Sequence, residues 1–424
     1  MRTGLWFRLL LIGSLVAGGL VGAAGAATLG VDWKERAPEE GPYLGVMIVP
    51  DASLVYAGGN MMYVRSWDRE IHWGNRPARV TVFSYDGKRI AMGQGNKLSV
   101  LDNRGIENWS RNMDGYVKAV AISPNGSFII SADDKGNYVS WSKDGNFVAR
   151  IENNTANTLA YSPSTDLIVA LTDNGLRFYN RKLELIWYDN RTLSPDKFVA
   201  ISGDGSTVIT AGSSQVASYK SDGTLNWRYE ITQDPIIDMD CSFDGSAIIV
   251  AGQDKEVVAI DKHGTVRWRY GTGQWVNAVG VSRDASVIAA GGIDRTVYVF
   301  DRSGTVITTK KTDAIIQPRS IAVSSDGRKI VVADQMNLYG FSMVGDTVAP
   351  DVTLTYTREP LNPVPTTNPT AVPKTTVATI ATGTVPVTVS TSVPARPATY
   401  SPVNPLILLP ALTAAFLLIR IKRR

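Results

Sequence analysis

Polar side chains recur at one position of a repeat of about 40 residues, five residues before the serine that marks each copy. From the second copy onward, this position holds Arg79, Lys118, Asn157, Lys197, Ile237, Asn277 and Arg319. Six of these residues are polar and four are basic. If the repeats form a ring, the side chains surround one mouth of it and would attract an anion or an acidic partner.

Two aromatic residues, Tyr116 and Trp275, lie seven residues before a repeat serine and would add flat apolar contacts beside the basic ones. The candidate ligand-binding residues are therefore Arg79, Tyr116, Lys118, Lys197, Trp275, Asn277 and Arg319. The alternative is an ordinary solvated rim, whose positive charge is offset by Asp238 and Asp240 in the sixth copy.

Residues with catalytic or metal-binding spacing are not found. Cys241 is the only cysteine, so it can form no intramolecular disulfide, and its apolar strand position predicts a buried packing role. His72 and His263 fall in different repeats, and both are predicted at the surface. No Gly-x-Ser-x-Gly, phosphate loop or Cys-x-x-Cys occurs. The sequence thus predicts no catalytic residue, no metal site and no cofactor.

The repeat itself is a turn of the form Ser-x-Asp/Asn-Gly. Its copies are registered on Val49, Ser84, Ser123, Ser162, Ser202, Ser242, Ser282 and Ser324, of which the first, fourth and seventh are degenerate. From Ser84 onward the spacings are 39, 39, 40, 40, 40 and 42 residues. Asp-Gly and Asn-Gly tolerate the positive φ that a tight hairpin turn requires, so each turn joins the first two strands of a copy.

After the two strands that the turn joins, most copies have a third and a fourth strand. The fourth strand carries a tryptophan in five copies. Trp73, Trp109, Trp187, Trp227 and Trp268 fall 24 to 26 residues after their register positions. Four strands in 40 residues predict the blades of an all-β propeller, with eight blades over residues 42–343 and seven as the alternative.

The last copy ends after its third strand, whereas residues 28–36, which contain Trp33, match the fourth strands of other copies. We expect this N-terminal segment to close the ring, because an open ring would leave strand edges exposed. Trp33 and the five tryptophans above would form a structural ladder.

The two ends predict export and membrane attachment. Residues 1–27 have the layout of a secretory signal peptide, with an uncleaved signal anchor as the alternative. The propeller domain is placed at 28–346, and residues 347–403, with 15 Thr and 10 Pro, predict a disordered stalk. Residues 404–424 form an apolar stretch with a basic end, which predicts a transmembrane helix or a tail exchanged for a lipid. The propeller would then face outward from a cell membrane.

The segments Val100–Trp109 and Ala259–Trp268 resemble the tryptophan-docking repeat of PQQ-like, quinoprotein-type eight-bladed propellers, and the likeness covers residues 28–343. WD40 repeats are similar, although their Gly-His pair is missing and Trp-Asp occurs only at Trp67. The resemblance implies that each tryptophan packs against a neighbouring blade. Quinoprotein dehydrogenases of this family use adjacent cysteines, so Cys241 alone argues against that activity. Signal, propeller, stalk and anchor together resemble surface proteins of methanogenic archaea.

These features predict a non-enzymatic binding or scaffold module for an extracellular protein or polysaccharide. The net charge of +4 is too small for a nucleic-acid partner. The alternative is an extracytoplasmic enzyme or envelope-assembly factor with a site in the central channel, and a structural envelope role is a third possibility. A channel that gathers two or more carboxylates with raised pKa would favour the enzyme, whereas a basic or empty channel would favour binding.

Overall fold

All secondary structure in the described part of the chain is β-strand. The computed structural model describes residues 27–37, 42–59, 61–68, 70, 72–152, 156–162, 164–172, 175–189 and 198–345. These residues belong to one compact unit, Met1–Pro373. Within these ranges no helix is long and apolar enough to cross a membrane. Apart from Ala27, the predicted signal peptide, stalk and anchor lie outside the described residues, as does Lys197.

The strands form eight antiparallel sheets of four strands each, which we number as blades 1 to 8 in chain order. Blades 1 and 2 contain β2 (Gly45–Ile48), β3 (Leu54–Gly58), β4 (Met61–Ser66), β5 (His72–Pro77), β6 (Val80–Phe83), β7 (Arg89–Gln94), β8 (Lys97–Asp102) and β9 (Glu107–Asn112). Blades 3 and 4 contain β10 (Val117–Ile122), β11 (Phe128–Asp133), β12 (Tyr138–Ser142), β13 (Phe147–Ile151), β14 (Ala156–Tyr161), β15 (Ile168–Thr172), β16 (Gly175–Tyr179) and β17 (Leu185–Asp189). Blades 5 and 6 contain β18 (Phe198–Ile201), β19 (Thr207–Gly212), β20 (Gln215–Lys220), β21 (Leu225–Glu230), β22 (Ile236–Cys241), β23 (Ala247–Gly252), β24 (Glu256–Asp261) and β25 (Val266–Gly271). Blade 7 contains β26 (Val276–Val281), β27 (Ile288–Gly292), β28 (Thr296–Phe300) and β29 (Val306–Lys311), and blade 8 contains β30 (Ile316–Val323), β31 (Lys329–Asp334), β32 (Asn337–Val344) and β1 (Thr28–Arg36).

The first strands of neighbouring blades contact one another from β6 of blade 2 round to β30 of blade 8, which lies against β2 of blade 1. Blades 1 and 2 close the ring through a shared hydrophobic core. The second and third strands of most blades are buried on both faces, as expected for sheets packed between two neighbours. Eight blades are present, so the seven-blade alternative is wrong.

Blade 8 is completed by the N-terminal strand. β1 runs antiparallel to β32, and its register pairs Thr28 with Val344 and Arg36 with Asn337. This pairing confirms the predicted closure of the ring.

The serine that marks each repeat holds its turn together. The hydroxyl of Ser84 donates to Oδ1 of Asp86 at 2.7 Å and accepts the backbone N–H of Arg89 at 2.9 Å. The same serine-to-N–H bond recurs in the copies that begin at Ser123, Ser202, Ser242, Ser282 and Ser324. The degenerate seventh copy keeps the geometry, since Ala285 takes the glycine position with a φ of 57°.

The tryptophans lock consecutive blades together through a glycine in the next blade. Trp73 of blade 1 lies so close to Gly105 of blade 2 that a Cβ there would be 2.8 Å from the indole ring. Its Nε1 donates to the carbonyl of Asn103 at 2.9 Å. The same close approach joins Trp109 to Gly145, Trp187 to Gly223, Trp227 to Gly264 and Trp268 to Gly304. This is the arrangement that the resemblance implies, and it explains why the turn between the third and fourth strands contains a glycine with positive φ.

Three interfaces lack this contact, those between blades 3 and 4, blades 7 and 8, and blades 8 and 1, each for a different reason. In blade 3 the tryptophan position is Ala149, and the facing glycine position in blade 4 is Leu183, which is buried with a φ of 59°. The leucine therefore fills the space that an indole fills elsewhere. In blade 7 the tryptophan position is occupied by Thr308. The facing blade 8 has no turn between its third and fourth strands, because its fourth strand, β1, comes from the other end of the chain.

At the seam between blades 8 and 1, an arginine takes the place of the glycine turn. The Arg65 guanidinium is buried, lies 3.7 Å from the Trp33 ring centroid and forms an ion pair with Glu35 of β1. It also donates to the carbonyl oxygens of Ser66 at 3.1 Å and Trp67 at 3.3 Å. Arg65 thus connects the closing strand to blade 1.

Candidate functional site

The predicted ring of polar side chains coincides with a series of β-bulges. In β10, β14, β22 and β26 the pairing with the second strand skips one residue, which is respectively Lys118, Asn157, Ile237 and Asn277. In β30 the irregularity is longer and contains Arg319, whose φ is 58°. A bulge turns its extra side chain away from the ladder, so these residues mark the end of the channel at which the first strands begin. We call this end the bulge-side mouth.

The three basic members of this ring that the structure describes belong to blades on one side of it. Arg319 in blade 8, Arg79 in blade 2 and Lys118 in blade 3 are all exposed, and blade 1 adds Leu44, which is 54% exposed. Arg79, Arg319 and Leu44 line one depression of about 400 Å³. We call Arg319, Leu44, Arg79 and Lys118 the basic arc. Arg79 and Lys118 form no ion pair with another described residue, so their charges face solvent.

Two other candidates lie beside the basic arc, and one prediction is wrong. Tyr116 is 60% exposed in blade 3, and Trp275 is 41% exposed in blade 7. Asn277 is buried, and its Nδ2 donates to the carbonyl of Ile316 at 2.9 Å, so its side chain joins blades 7 and 8 and is not available to a ligand. Arg319 extends across the channel, with its guanidinium 4.8 Å from the Phe198 ring centroid of blade 5.

The channel wall contains two carboxylates from one strand. Oδ2 of Asp238 accepts the backbone N–H of Val279 at 3.0 Å, and Oδ2 of Asp240 accepts that of Val281 at 2.9 Å. Both N–H groups belong to β26, the innermost strand of the next blade. Because an innermost strand has a partner on one side only, its outward N–H groups need acceptors, and the two aspartates supply them.

Burial raises the pKa of both carboxyls. Desolvation raises the pKa of Asp238 to about 7, with a further increase from the neighbouring Asp240 and a decrease from Arg319. Desolvation likewise raises the pKa of Asp240 to about 6, against the lowering effect of its bonds to the N–H groups of Cys241 and Val281. The channel therefore gathers two carboxylates with raised pKa, the feature that the sequence analysis associates with the enzyme alternative. Each carboxylate is, however, already bonded to the backbone of the next blade.

The sequence comparisons identify repeats of two related kinds. Residues 180–317 match the family model described as outer membrane protein assembly factor BamB, and residues 109–137 match the WD domain, G-beta repeat. No curated protein matches the chain by sequence.

Solved structures give the same fold. The C-terminal WD40 domain of Sif2 superimposes with a TM-score of 0.61 at 14% identity, covering 74% of this chain and 99% of that domain. The Dos1 propeller superimposes with a TM-score of 0.62 at 14% identity, covering 74% of this chain and 95% of that chain. The chain is a β-propeller of PQQ-like and WD40-like repeats. The resemblance of the propeller to archaeal surface proteins stays a prediction.

The two histidines and the cysteine belong to blades 1 and 6. No group of three or more histidine, cysteine or acidic side chains among the described residues is arranged to hold a metal ion. Cys241 is half-buried, and desolvation raises the pKa of its thiol well above the usual range, which disfavours the reactive thiolate. His263 is exposed in the turn between β24 and β25, as the sequence predicts.

Sequence reasoning missed the opposite end of the channel. The second position of the repeat turn, x in Ser-x-Asp/Asn-Gly, brings Tyr85, Phe243 and Arg283 into contact although they come from three different blades. One feature of the sequence could have indicated this site: position x varies from copy to copy, whereas the serine, Asp/Asn and glycine around it recur. The residues at x are Pro50, Tyr85, Pro124, Pro163, Gly203, Phe243, Arg283 and Ser325.

The aspartates of β22 predict how the stability of the propeller changes with pH. A carboxyl in an unfolded chain has a pKa of about 3.9, so between about pH 4 and 7 the folded propeller binds more protons than the unfolded chain. The stabilisation from Asp238 and Asp240 is therefore complete below about pH 4 and is lost as the pH rises through 6 to 7. Each proton of difference contributes about 1.4 kcal/mol per pH unit.

We expect the double variant Asp238→Asn and Asp240→Asn to have a flatter dependence of melting temperature on pH between 5 and 8. The amide oxygen of asparagine can still accept one backbone N–H, but at position 240 it replaces a carboxylate that accepts two, so the variant is expected to lose part of its stability at every pH. The exposed Asp144→Asn variant is the control and should follow the wild type. If the curves of melting temperature against pH were parallel for the double variant and the wild type, the pKa values of the two carboxyls would not be raised in the folded protein.

Proposed function

We propose that the propeller is a non-enzymatic binding module, held at the outer face of a cell membrane, whose basic arc binds an anionic segment of an extracellular protein or polysaccharide. The observation that carries the proposal is the pair of exposed cations at Arg79 and Lys118 in adjacent blades, neither of which forms an ion pair within the described part of the chain. Arg319 adds a third charge, and Leu44 and Tyr116 provide exposed apolar surface next to them. Charges that face solvent without a partner contribute to association with an acidic ligand at little desolvation cost.

The arrangement of the channel favours binding over catalysis. Both oxygens of Asp240 accept backbone N–H groups, one from Cys241 at 2.8 Å and one from Val281. A carboxylate held in this way stabilises the wall between blades 6 and 7, and each of its oxygens already accepts one backbone N–H. The membrane attachment rests on the sequence, because residues 1–26 and 346–424 lie outside the described residues.

Reversing the charges of the basic arc tests the proposal. Because the partner is unidentified, the probes are poly-glutamate, which represents an acidic protein segment, and dextran sulfate, which represents an anionic polysaccharide. We expect the double variant Arg79→Glu and Lys118→Glu in the full-length chain to bind the better of the two probes at least about tenfold more weakly, from about 1.4 kcal/mol or more of lost attraction. Titration at two salt concentrations should show a smaller salt dependence in the variant.

The matched control is Lys182→Glu together with Lys262→Glu. These two exposed lysines lie in the outer turns of blades 4 and 6, and the substitutions change the net charge by the same amount. Equal weakening by both double variants would mean that the ligand responds to net charge alone, and the basic arc would not be the site.

A second candidate is an envelope-assembly factor or an enzyme acting in the channel. It is favoured by Asp238 and Asp240 and by the match to the assembly-factor family, which spans both residues. This candidate predicts that the Asp238→Asn and Asp240→Asn variant folds but no longer supports outer-envelope assembly in cells, whereas the binding proposal predicts that it functions as the wild type does.

A further inference from the structure

The eight repeat turns surround the second end of the channel, which we call the turn-side mouth. Five of their x residues, from Gly203 round to Pro50, are joined by backbone hydrogen bonds from blade to blade. The N–H of Phe243 donates to the carbonyl of Arg283 at 2.9 Å, Arg283 donates to Ser325 at 3.1 Å, and Ser325 donates to Pro50 at 3.1 Å. These bonds fix the direction in which each x side chain leaves its turn.

One cation, the guanidinium of Arg283, is held in place at this mouth by two aromatic side chains. The Arg283 guanidinium lies 3.5 Å from the Phe243 ring centroid, and its Nη1 donates to the Tyr85 hydroxyl at 2.7 Å. Tyr85 belongs to blade 2 and Arg283 to blade 7, so the contact crosses the mouth. Gly203 provides room for this arrangement, because a Cβ there would overlap the Phe243 ring.

The charge of Arg283 is not neutralised by the residues that the structure describes. Among the described residues no carboxylate forms an ion pair with it, and the side chain is exposed. Its stacking and its bond to Tyr85 hold the planar group still and leave Nε and Nη2 available as donors. Such a group is suited to a carboxylate, which accepts two parallel N–H bonds from one guanidinium.

Behind Arg283 the channel contains a cavity that is lined mainly by apolar side chains. Its volume is about 390 Å³, and all eight blades contribute to its wall. The wall includes Ile48, Phe83, Ile122, Ile201, Val281 and Val323. The volume lies within the range of roughly 300 to 1,000 Å³ that is typical of small-molecule sites.

The one acidic group in the wall is Asp240, on which burial raises the pKa to about 6. The remaining titratable side chains are Tyr56, Tyr85, Tyr161 and Cys241. An apolar cavity with a single fixed cation at its lip matches a molecule with an apolar body and one anionic end.

We propose that the turn-side mouth binds a small amphipathic carboxylic acid, with its carboxylate on Arg283 and its apolar chain in the channel. This site is at the opposite end of the channel from the basic arc and does not depend on the proposed function. Phe243 and Tyr85 act as positioning residues, since they hold the guanidinium.

Calorimetric titration of the full-length chain with octanoate tests the proposal, with octanol as the uncharged analogue. We expect octanoate to bind with a dissociation constant below about 1 mM and octanol to bind at least about tenfold more weakly. Arg283→Met should weaken octanoate binding about tenfold or more and leave octanol unchanged. Asp240→Asn should bind octanoate more tightly, because it removes the negative charge from the cavity wall.

The control is Lys88→Met, which removes a cation on the same face, four residues after Ser84, whose side chain is 78% exposed. It should bind octanoate within about twofold of the wild type. The proposal is overturned if octanoate does not bind at about 5 mM, if octanol binds equally well, or if Arg283→Met and Lys88→Met have the same effect. Melting curves of each variant establish that a loss of binding is not a loss of folding.

Discussion

Removal of residues 28–36 abolishes the cooperative thermal unfolding of the propeller and converts it into an oligomerising species. This is the expected result because β1 supplies the whole fourth strand of blade 8 and pairs with β32 along its length. Without it, β32 becomes the edge strand of blade 8. One side of β32 stays paired with β31, and the other side is free to pair with a strand of another chain. Differential scanning calorimetry and size-exclusion chromatography measure the two effects.

The contact between Arg65 and β1 allows the role of the closing strand to be tested without a deletion. Arg65→Ala leaves Glu35 without its buried partner and removes the stacking on Trp33, so we expect it to lower the free energy of unfolding by about 3 to 5 kcal/mol. Arg65→Met keeps most of the packing volume and should cost less. Exposed Arg104→Ala is the control, with an expected effect within about 0.5 kcal/mol.

An unchanged melting temperature in the variant that lacks residues 28–36 would show that the ring does not need its N-terminal strand.

The second large effect is expected at the interface between blades 3 and 4. Leu183→Gly alone empties a buried position and should cost about 2 to 4 kcal/mol, even though the glycine relieves the positive φ. Ala149→Trp alone places an indole where Leu183 already lies and should cost about 1 to 3 kcal/mol. Together they recreate the Trp–Gly pair of five other interfaces, so we expect the double variant to approach wild-type stability.

A double-mutant cycle by chemical denaturation measures this coupling, which should exceed about 1 kcal/mol. The reciprocal pair, Trp187→Ala with Gly223→Leu, is the matched cycle one interface further along. If the two single effects simply added in both cycles, the tryptophan and glycine positions would not be a packing unit.

The repeat spacing predicted the number of blades and the closing strand because both depend on local periodicity and on the pairing of strand edges. The Trp ladder was predictable for the same reason. The exchange of Trp and Gly for Ala149 and Leu183 was not, since the two residues lie 34 positions apart and only their contact shows that one compensates for the other.

The candidate sites were predicted less completely. The position five residues before the serine did mark one mouth, but a sequence cannot show that Asn277 bonds to blade 8 or that Arg319 crosses to blade 5. Arg283, Phe243 and Tyr85 escaped notice because their convergence depends on the curvature of the ring. Each is unremarkable within its own repeat.

The pairing of Thr28 with Val344 has a consequence for how such a chain can be rearranged. In most other blades, a short turn such as Asp102–Gly105 occupies the equivalent place. Joining the two strands of blade 8 by such a turn and cutting the turn of another blade would give a circular permutant with the same contacts between blades, apart from the relocated seam. The linear order of the repeats is therefore one of several equivalent orders for the same closed ring.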